Sequence, residues 1–217
     1  MLLDIVILPP KVLRQRIGKK IKDATKDVKA VFVVNNKKLI LHLSLFHIRT
    51  SKARLSRLSG IVKGIVKKHK VMNMRSAGLE ISKSGSGIVY VNVSYPLKLV
   101  RLREEVFNSC YPLRTGPMPW MIKSRPPTRQ EKLARKKFGT YLKFHPHFTL
   151  AMFQNHRDAE RVIERMGRIK FDFTADTVAV TEVNSWHQVT GIIKKFKLKR
   201  SRIGFPIRSG MTKRQHA

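Results

Sequence analysis

Apolar positions along the chain follow two rhythms that keep replacing one another. Residues 2–8, LLDIVIL, are apolar except for Asp4 and end at Pro9-Pro10, which predicts a buried strand. Over 11–22 the apolar residues Val12, Leu13, Ile17 and Ile21 return at near-helical spacing, so an amphipathic helix follows. A strand over 31–34, an Asn35-Asn36 turn and a strand over 39–48 read as a hairpin. Residues 51–70 carry Leu55, Leu58, Ile61, Val62, Ile65 and Val66 on one helical stripe, with Lys and Arg opposite. Strands are predicted over 79–82 and 88–93, around Ser84-Gly85-Ser86-Gly87, and Pro96 opens a helix over 97–107 that ends near Cys110. A helix over 157–166 and strands over 177–183 and 191–198 complete the pattern, with Trp186 and His187 at the last turn.

Two stretches break these rhythms. Residues 111–143 hold Pro112, Pro117, Pro119, Pro126 and Pro127 among many Lys and Arg, and read as a surface connection with a short helix over 129–137. Residues 199–217 are basic, weakly patterned and expected to form a partly mobile tail. The order of elements predicts an α+β fold of two lobes, with residues 1–198 as one bilobal domain.

A short tetrad occurs twice. His42-Leu43-Ser44-Leu45 sits in LILHLSLFHI, and His147-Phe148-Thr149-Leu150 sits in KFHPHFTLAMF. Strand side chains alternate between faces, so Ile40, His42, Ser44 and Phe46 are expected on one face of the first strand, and His47 on its back. On the second, His147, Thr149, Ala151 and Phe153 are expected together. Each strand then offers an imidazole and a hydroxyl side by side, an arrangement that suits a phosphate held between them. Phe46 and Phe153 are candidates either for stacking a base or for core packing. His145 shares a face with His147 and is a candidate substrate contact, or else a solvated loop histidine. Met72, Met74 and Trp120 read as packing residues, and His69, His156, His187 and His216 carry no pattern.

Charge narrows the class of partner. Forty-six Lys and Arg against 13 Asp and Glu give a formal net charge of +33. Self-repulsion on that scale is best tolerated beside a polyanion, and RNA or another oligonucleotide is the expected one. The basic cluster Lys194, Lys195, Lys197, Lys199, Arg200 and Arg202 is a candidate docking patch. A single cysteine, Cys110, excludes an internal disulfide and a cysteine-rich zinc site. The N-terminus does not resemble a signal peptide and nothing reaches membrane-spanning length, so a cytoplasmic protein with no membrane partner is expected.

The paired tetrads resemble those of the two-histidine phosphoesterase superfamily, and the Pro146-His147 lead-in is similar to that of the RNA 2′,3′-cyclic phosphodiesterases, also called 2′–5′ RNA ligase-like. The resemblance implies a bilobal, pseudo-symmetric fold with the tetrads facing each other across a cleft. It implies metal-independent, cofactor-free hydrolysis of a 2′,3′-cyclic phosphate to a 2′-phosphate. His42 and His147 would be the acid–base pair, in either order, with Ser44 and Thr149 on the phosphate oxygens. A monomer is expected. Ser44 stands where threonine is commoner, and the basic insertion is unusual for the small bacterial members. A phosphodiesterase of small cyclic or 2′–5′ oligonucleotides, and a non-catalytic basic RNA-binding protein, are the alternatives.

Overall fold

The computed structural model describes residues 1–82, 87–94, 96–119 and 144–200. The expected helix over 129–137, Trp120, most of the Pro-rich connection, the Ser84–Ser86 turn and nearly all of the basic tail lie outside them. Among the described residues nine strands build two antiparallel sheets. The first is ordered β3-β1-β8-β9, from β1 (Leu2–Ile7), β3 (Leu43–Arg49), β8 (Thr177–Val183) and β9 (Val189–Lys197). The second is ordered β2-β6-β5-β4-β7, from β2 (Ala30–Val33), β4 (Met72–Ile81), β5 (Gly87–Val93), β6 (His147–Phe153) and β7 (Asp172–Ala175).

Helices cover the outer faces. α2 (Leu55–Val66) and α3 (Leu97–Cys110) pack on the first sheet, and α1 (Lys11–Ala24) and α4 (His156–Met166) on the second. α1 buries Leu13, Ile17 and Ile21, the stripe its spacing predicts, while Pro10 supplies an extended residue at its start. Asn155 begins α4 by accepting from Asp158 N–H at 2.8 Å, and Gly167 (φ 55°) ends it in a left-handed conformation. A continuous apolar core runs beneath both sheets, from Leu3, Ile5 and Ile7 through Val89, Val91, Phe148 and Phe153. Burying that much side chain is what drives the two layers together.

The fold is the expected α+β one, but the lobes interleave in sequence. β2 and β3 do not form a hairpin. The Asn35-Asn36 turn is real: Asn35 Oδ1 accepts from the N–H groups of Lys37, Lys38 and Leu39, and Asn36 is left-handed (φ 60°). Yet β2 joins β6 in the second sheet and β3 joins β1 in the first. The tetrad strands β3 and β6 come into contact where the two sheets adjoin. The short strand β7 was not expected; it pairs with an extension of β4 that begins at Met72. Met72 and Met74 are buried core residues, as their pattern predicts.

Candidate active site

Each tetrad strand is interrupted at the same place. In β3, Ile5 opposes Phe46 while Val6 opposes Ser44, so Leu45 is an extra residue in a β-bulge. In β6, Val89 opposes Ala151 while Tyr90 opposes Thr149, so Leu150 is the extra one. The fourth residue of each tetrad is therefore a bulge. Leu45 and Phe46 both turn into the core, as do Leu150 and Ala151. Beyond the bulge the alternation is reversed, and this corrects three sequence expectations. Phe46 (3% exposed) packs edge-on against Phe107 with ring centroids 5.3 Å apart, away from the tetrad face. Phe153 (1% exposed) is likewise core, and neither ring is placed to stack a base. His47, expected on the back, lies opposite Asp4 on the tetrad face.

Both tetrad histidines are held in the same way. His42 Nδ1 lies 2.7 Å from the carbonyl of Ile40, and His147 Nδ1 lies 2.7 Å from the carbonyl of His145. A carbonyl only accepts, so Nδ1 carries the proton and donates in each ring. That leaves both Nε2 atoms as the groups that exchange protons.

The surroundings of the two rings differ. Asp4, fully buried on β1, brings Oδ2 to 3.8 Å from His42 Nε2 and 3.2 Å from His47 Nε2. The same oxygen accepts a short hydrogen bond from Ser44 Oγ. Burial pushes the Asp4 carboxyl up to about 6, against the opposing pull of His42 and the Ser44 hydroxyl. Burial also lowers His42, while the Asp4 charge works to raise it. Asp4 interrupts an otherwise apolar strand, and that interruption was the sequence signal for it.

His147 has no carboxylate in direct contact among the described residues. Its ring lies against Tyr90 (centroids 4.9 Å apart) and against His145 (5.3 Å), and Tyr90 also meets His145. The phenol of Tyr90 is hydrogen-bonded to Glu80, which also accepts from Asn92 Nδ2 at 2.7 Å. The charge of Glu80 also acts on His147, in the direction that raises it. Burial dominates and pushes His147 down to about 4. Thr149 is half-buried beside Tyr90, and its hydroxyl engages no described side chain.

Two further residues join the site. His187, at the β8–β9 turn, meets His47 edge-on with centroids 5.9 Å apart, and burial pushes it down to about 3. His42 and His147 each feel the charge of His47, and His42 that of His147, so the two tetrads share one electrostatic neighbourhood. His145 lies beside His147, as expected. His69 and His156 lie elsewhere, paired with Glu105 and Glu160. Among the described residues no group of three His, Cys, Asp or Glu is arranged to hold a metal ion. No helix among them is long and apolar enough to cross a membrane.

A family model described as the 2′-5′ RNA ligase superfamily matches residues 9–185. Solved structures with a similar fold include TT0787 of Thermus thermophilus, at TM-score 0.60 and 16% identity, covering 91% of this chain and 98% of that one. LigT of E. coli complexed with 3′-AMP aligns at TM-score 0.56 and 13% identity, over 90% of this chain and 97% of that one. A further crystal structure, described as a phosphoesterase, aligns at TM-score 0.51 and 14% identity, over 91% and 98%. A search of curated protein sequences finds no match.

Proposed function

The chain belongs to the 2′-5′ RNA ligase superfamily, and from that premise we propose that it hydrolyses the 2′,3′-cyclic phosphate end of an RNA, or a related 2′–5′ phosphodiester, with His42 and His147 as the acid–base pair. The observation that carries the reading is the matched anchoring of the two imidazoles, each by Nδ1 to the carbonyl two residues back. Two rings fixed in one tautomer on adjoining strands supply the donor and acceptor that hydrolysis requires. E. coli LigT, of similar fold, was crystallised with 3′-AMP, which supports a nucleotide phosphate as the bound group.

The unequal surroundings support a division of roles. His147, held near 4 by burial, is neutral at pH 7, and its Nε2 accepts the proton of the attacking water. The water oxygen bonds to phosphorus as the bond to the ribose 3′ oxygen breaks. His42, whose protonated form has the Asp4 carboxylate beside it, gives its Nε2 proton to that departing oxygen. The product is a 2′-phosphate. Thr149, whose hydroxyl engages no side chain among the described residues, donates to a non-bridging oxygen as charge builds there. The high positive charge favours an RNA end over a small uncharged ester.

The test is turnover of 2′,3′-cyclic AMP by the wild type, His42→Ala and His147→Ala, with and without chelator. Loss of activity in both variants, chelator insensitivity in the wild type and a 2′-phosphate product are expected. Full activity in both variants overturns the assignment.

A further inference from the structure

The tetrad face of the second sheet continues beyond the hydroxyl of Thr149 into an apolar row. Tyr90 opposes Thr149, and two residues along β5 Ile88 opposes Met152, about 7 Å further on at the usual strand rise. Phe32 of β2 opposes Met152 from the other side. Because the bulge at Leu150 reverses the alternation, Met152 returns to the face that carries His147 and Thr149. Ile88, Met152 and Phe32 are all partly exposed, and none belongs to the core cluster.

Over this row stands a residue from the first sheet. Trp186, at the tip of the β8–β9 turn, is 47% exposed, and its ring centroid lies 6.5 Å from that of Phe32. The turn is firmly built. Asn184 Oδ1 accepts from the N–H groups of Trp186 and Gln188, each at 3.0 Å, and Gln188 Nε2 donates to the Trp186 carbonyl at 3.2 Å. His187 is held left-handed (φ 62°), a conformation that costs a non-glycine residue free energy and persists only where its surroundings impose it. The result directs consecutive side chains apart: His187 meets His47 beside Asp4, and Trp186 meets Phe32.

Resting on the phosphodiesterase reading above, we infer that Trp186, with Phe32 and Met152, forms the subsite that stacks the nucleobase attached to the reacting ribose. A phosphate at the histidine–hydroxyl row directs its nucleoside either toward solvent or along the sheet, and along the sheet it meets this apolar row. An exposed indole above half-exposed apolar side chains suits the face of a base of any sequence. Such a subsite makes the enzyme prefer a base-bearing cyclic phosphate over a bare sugar phosphate, with little choice among bases.

The test compares two product-like ligands, 2′-AMP and ribose 2-phosphate, by equilibrium titration. The protein carries Trp120→Phe, so that Trp186 is the remaining indole of the two in the sequence. Quenching of Trp186 fluorescence by 2′-AMP alone is expected, with binding roughly ten-fold tighter than ribose 2-phosphate, the scale of one stacked base. Trp186→Ala is expected to bring the two affinities together without weakening ribose 2-phosphate, and Trp186→Phe to keep part of the gap. Equal affinities before mutation, or a preference that survives Trp186→Ala, overturns the subsite while leaving the phosphate site standing. Binding of neither ligand overturns the phosphodiesterase reading itself, and the subsite falls with it.

Discussion

Asp4 Oδ2 lies 3.8 Å from His42 Nε2 with no exposure to solvent, so a carboxylate is buried within reach of the tetrad imidazole. Burial that raises its value to about 6 means that folding opposes its charge. Because the folded value lies above the unfolded one, the stability linked to Asp4 is present below about pH 4 and is lost as pH rises through about 6. Asp4→Asn is therefore expected to gain on the wild type as pH rises, by up to about 3 kcal/mol between pH 4 and pH 7.5. Its turnover is expected to fall roughly ten-fold or more, because the proposed acid, His42, loses its counter-charge. Urea unfolding at the two pH values, alongside initial rates, checks both. A stability difference that does not change with pH refutes a raised Asp4 value in the folded protein.

The half-buried histidines of the site act with the opposite sign. His47 and His147 are both pushed down to about 4, so their contribution to stability is present above about 6.5 and is lost as pH falls through 4. Asp4 offsets part of that loss over the same interval. The wild type is expected to lose a few kcal/mol of unfolding free energy between pH 6.5 and 4, and Asp4→Asn to lose more. His47→Gln is expected to flatten the wild-type curve. The readout is unfolding free energy against pH, and a curve that keeps its slope in His47→Gln excludes this cause.

The bulges make a separate prediction. A strict two-residue period sends Phe46 to the same face as His42; the extra Leu45 sends it to the core instead. Phe46→Ala is thus expected to cost about 3–5 kcal/mol of stability, as for other buried aromatic truncations. The KM for a cyclic nucleotide is expected to stay unchanged under conditions where the variant remains folded. A raised KM with intact stability points back to base stacking.

The same bulges mark where the sequence stopped being informative. Both tetrads, the three-dimensional partners of the proposed chemistry, are legible because His-x-Ser/Thr-Leu inside an apolar run is a pattern of local residues. The helices are legible for the same reason: stripes such as Leu58, Val62, Ile65 and Val66 repeat within one element. A bulge leaves no comparable trace, since Leu45 and Leu150 look like any strand leucine. Nor does local pattern reveal which strands pair, so β2 and β3 read as a hairpin although long-range pairing places them in different sheets. Asp4, Tyr90, Glu80 and His187 reach the site only through those pairings, from strands or turns far away in the chain.

The two tetrad hydroxyls, equivalent by motif, are not equivalent in their bonding, and this yields the last prediction. Ser44 gives its proton to Asp4, whereas the Thr149 hydroxyl engages no side chain among the described residues. A hydroxyl has one proton to donate, so of the two tetrad hydroxyls it is that of Ser44 that must break a bond to a buried carboxylate before it can donate to a phosphate oxygen. Thr149→Val, which keeps the shape and removes the hydroxyl, is expected to lower kcat by roughly the 10²-fold typical of losing one donor to developing negative charge. Ser44→Ala removes a donor to Asp4 and so is expected to raise that carboxyl further above 6, shifting the pH profile of activity upward with a smaller loss of kcat. Steady-state rates over pH 5–9 for the two variants separate the cases. Equal losses of kcat with an unmoved profile in Ser44→Ala indicate instead that substrate draws Ser44 away from Asp4 and that both hydroxyls hold the phosphate.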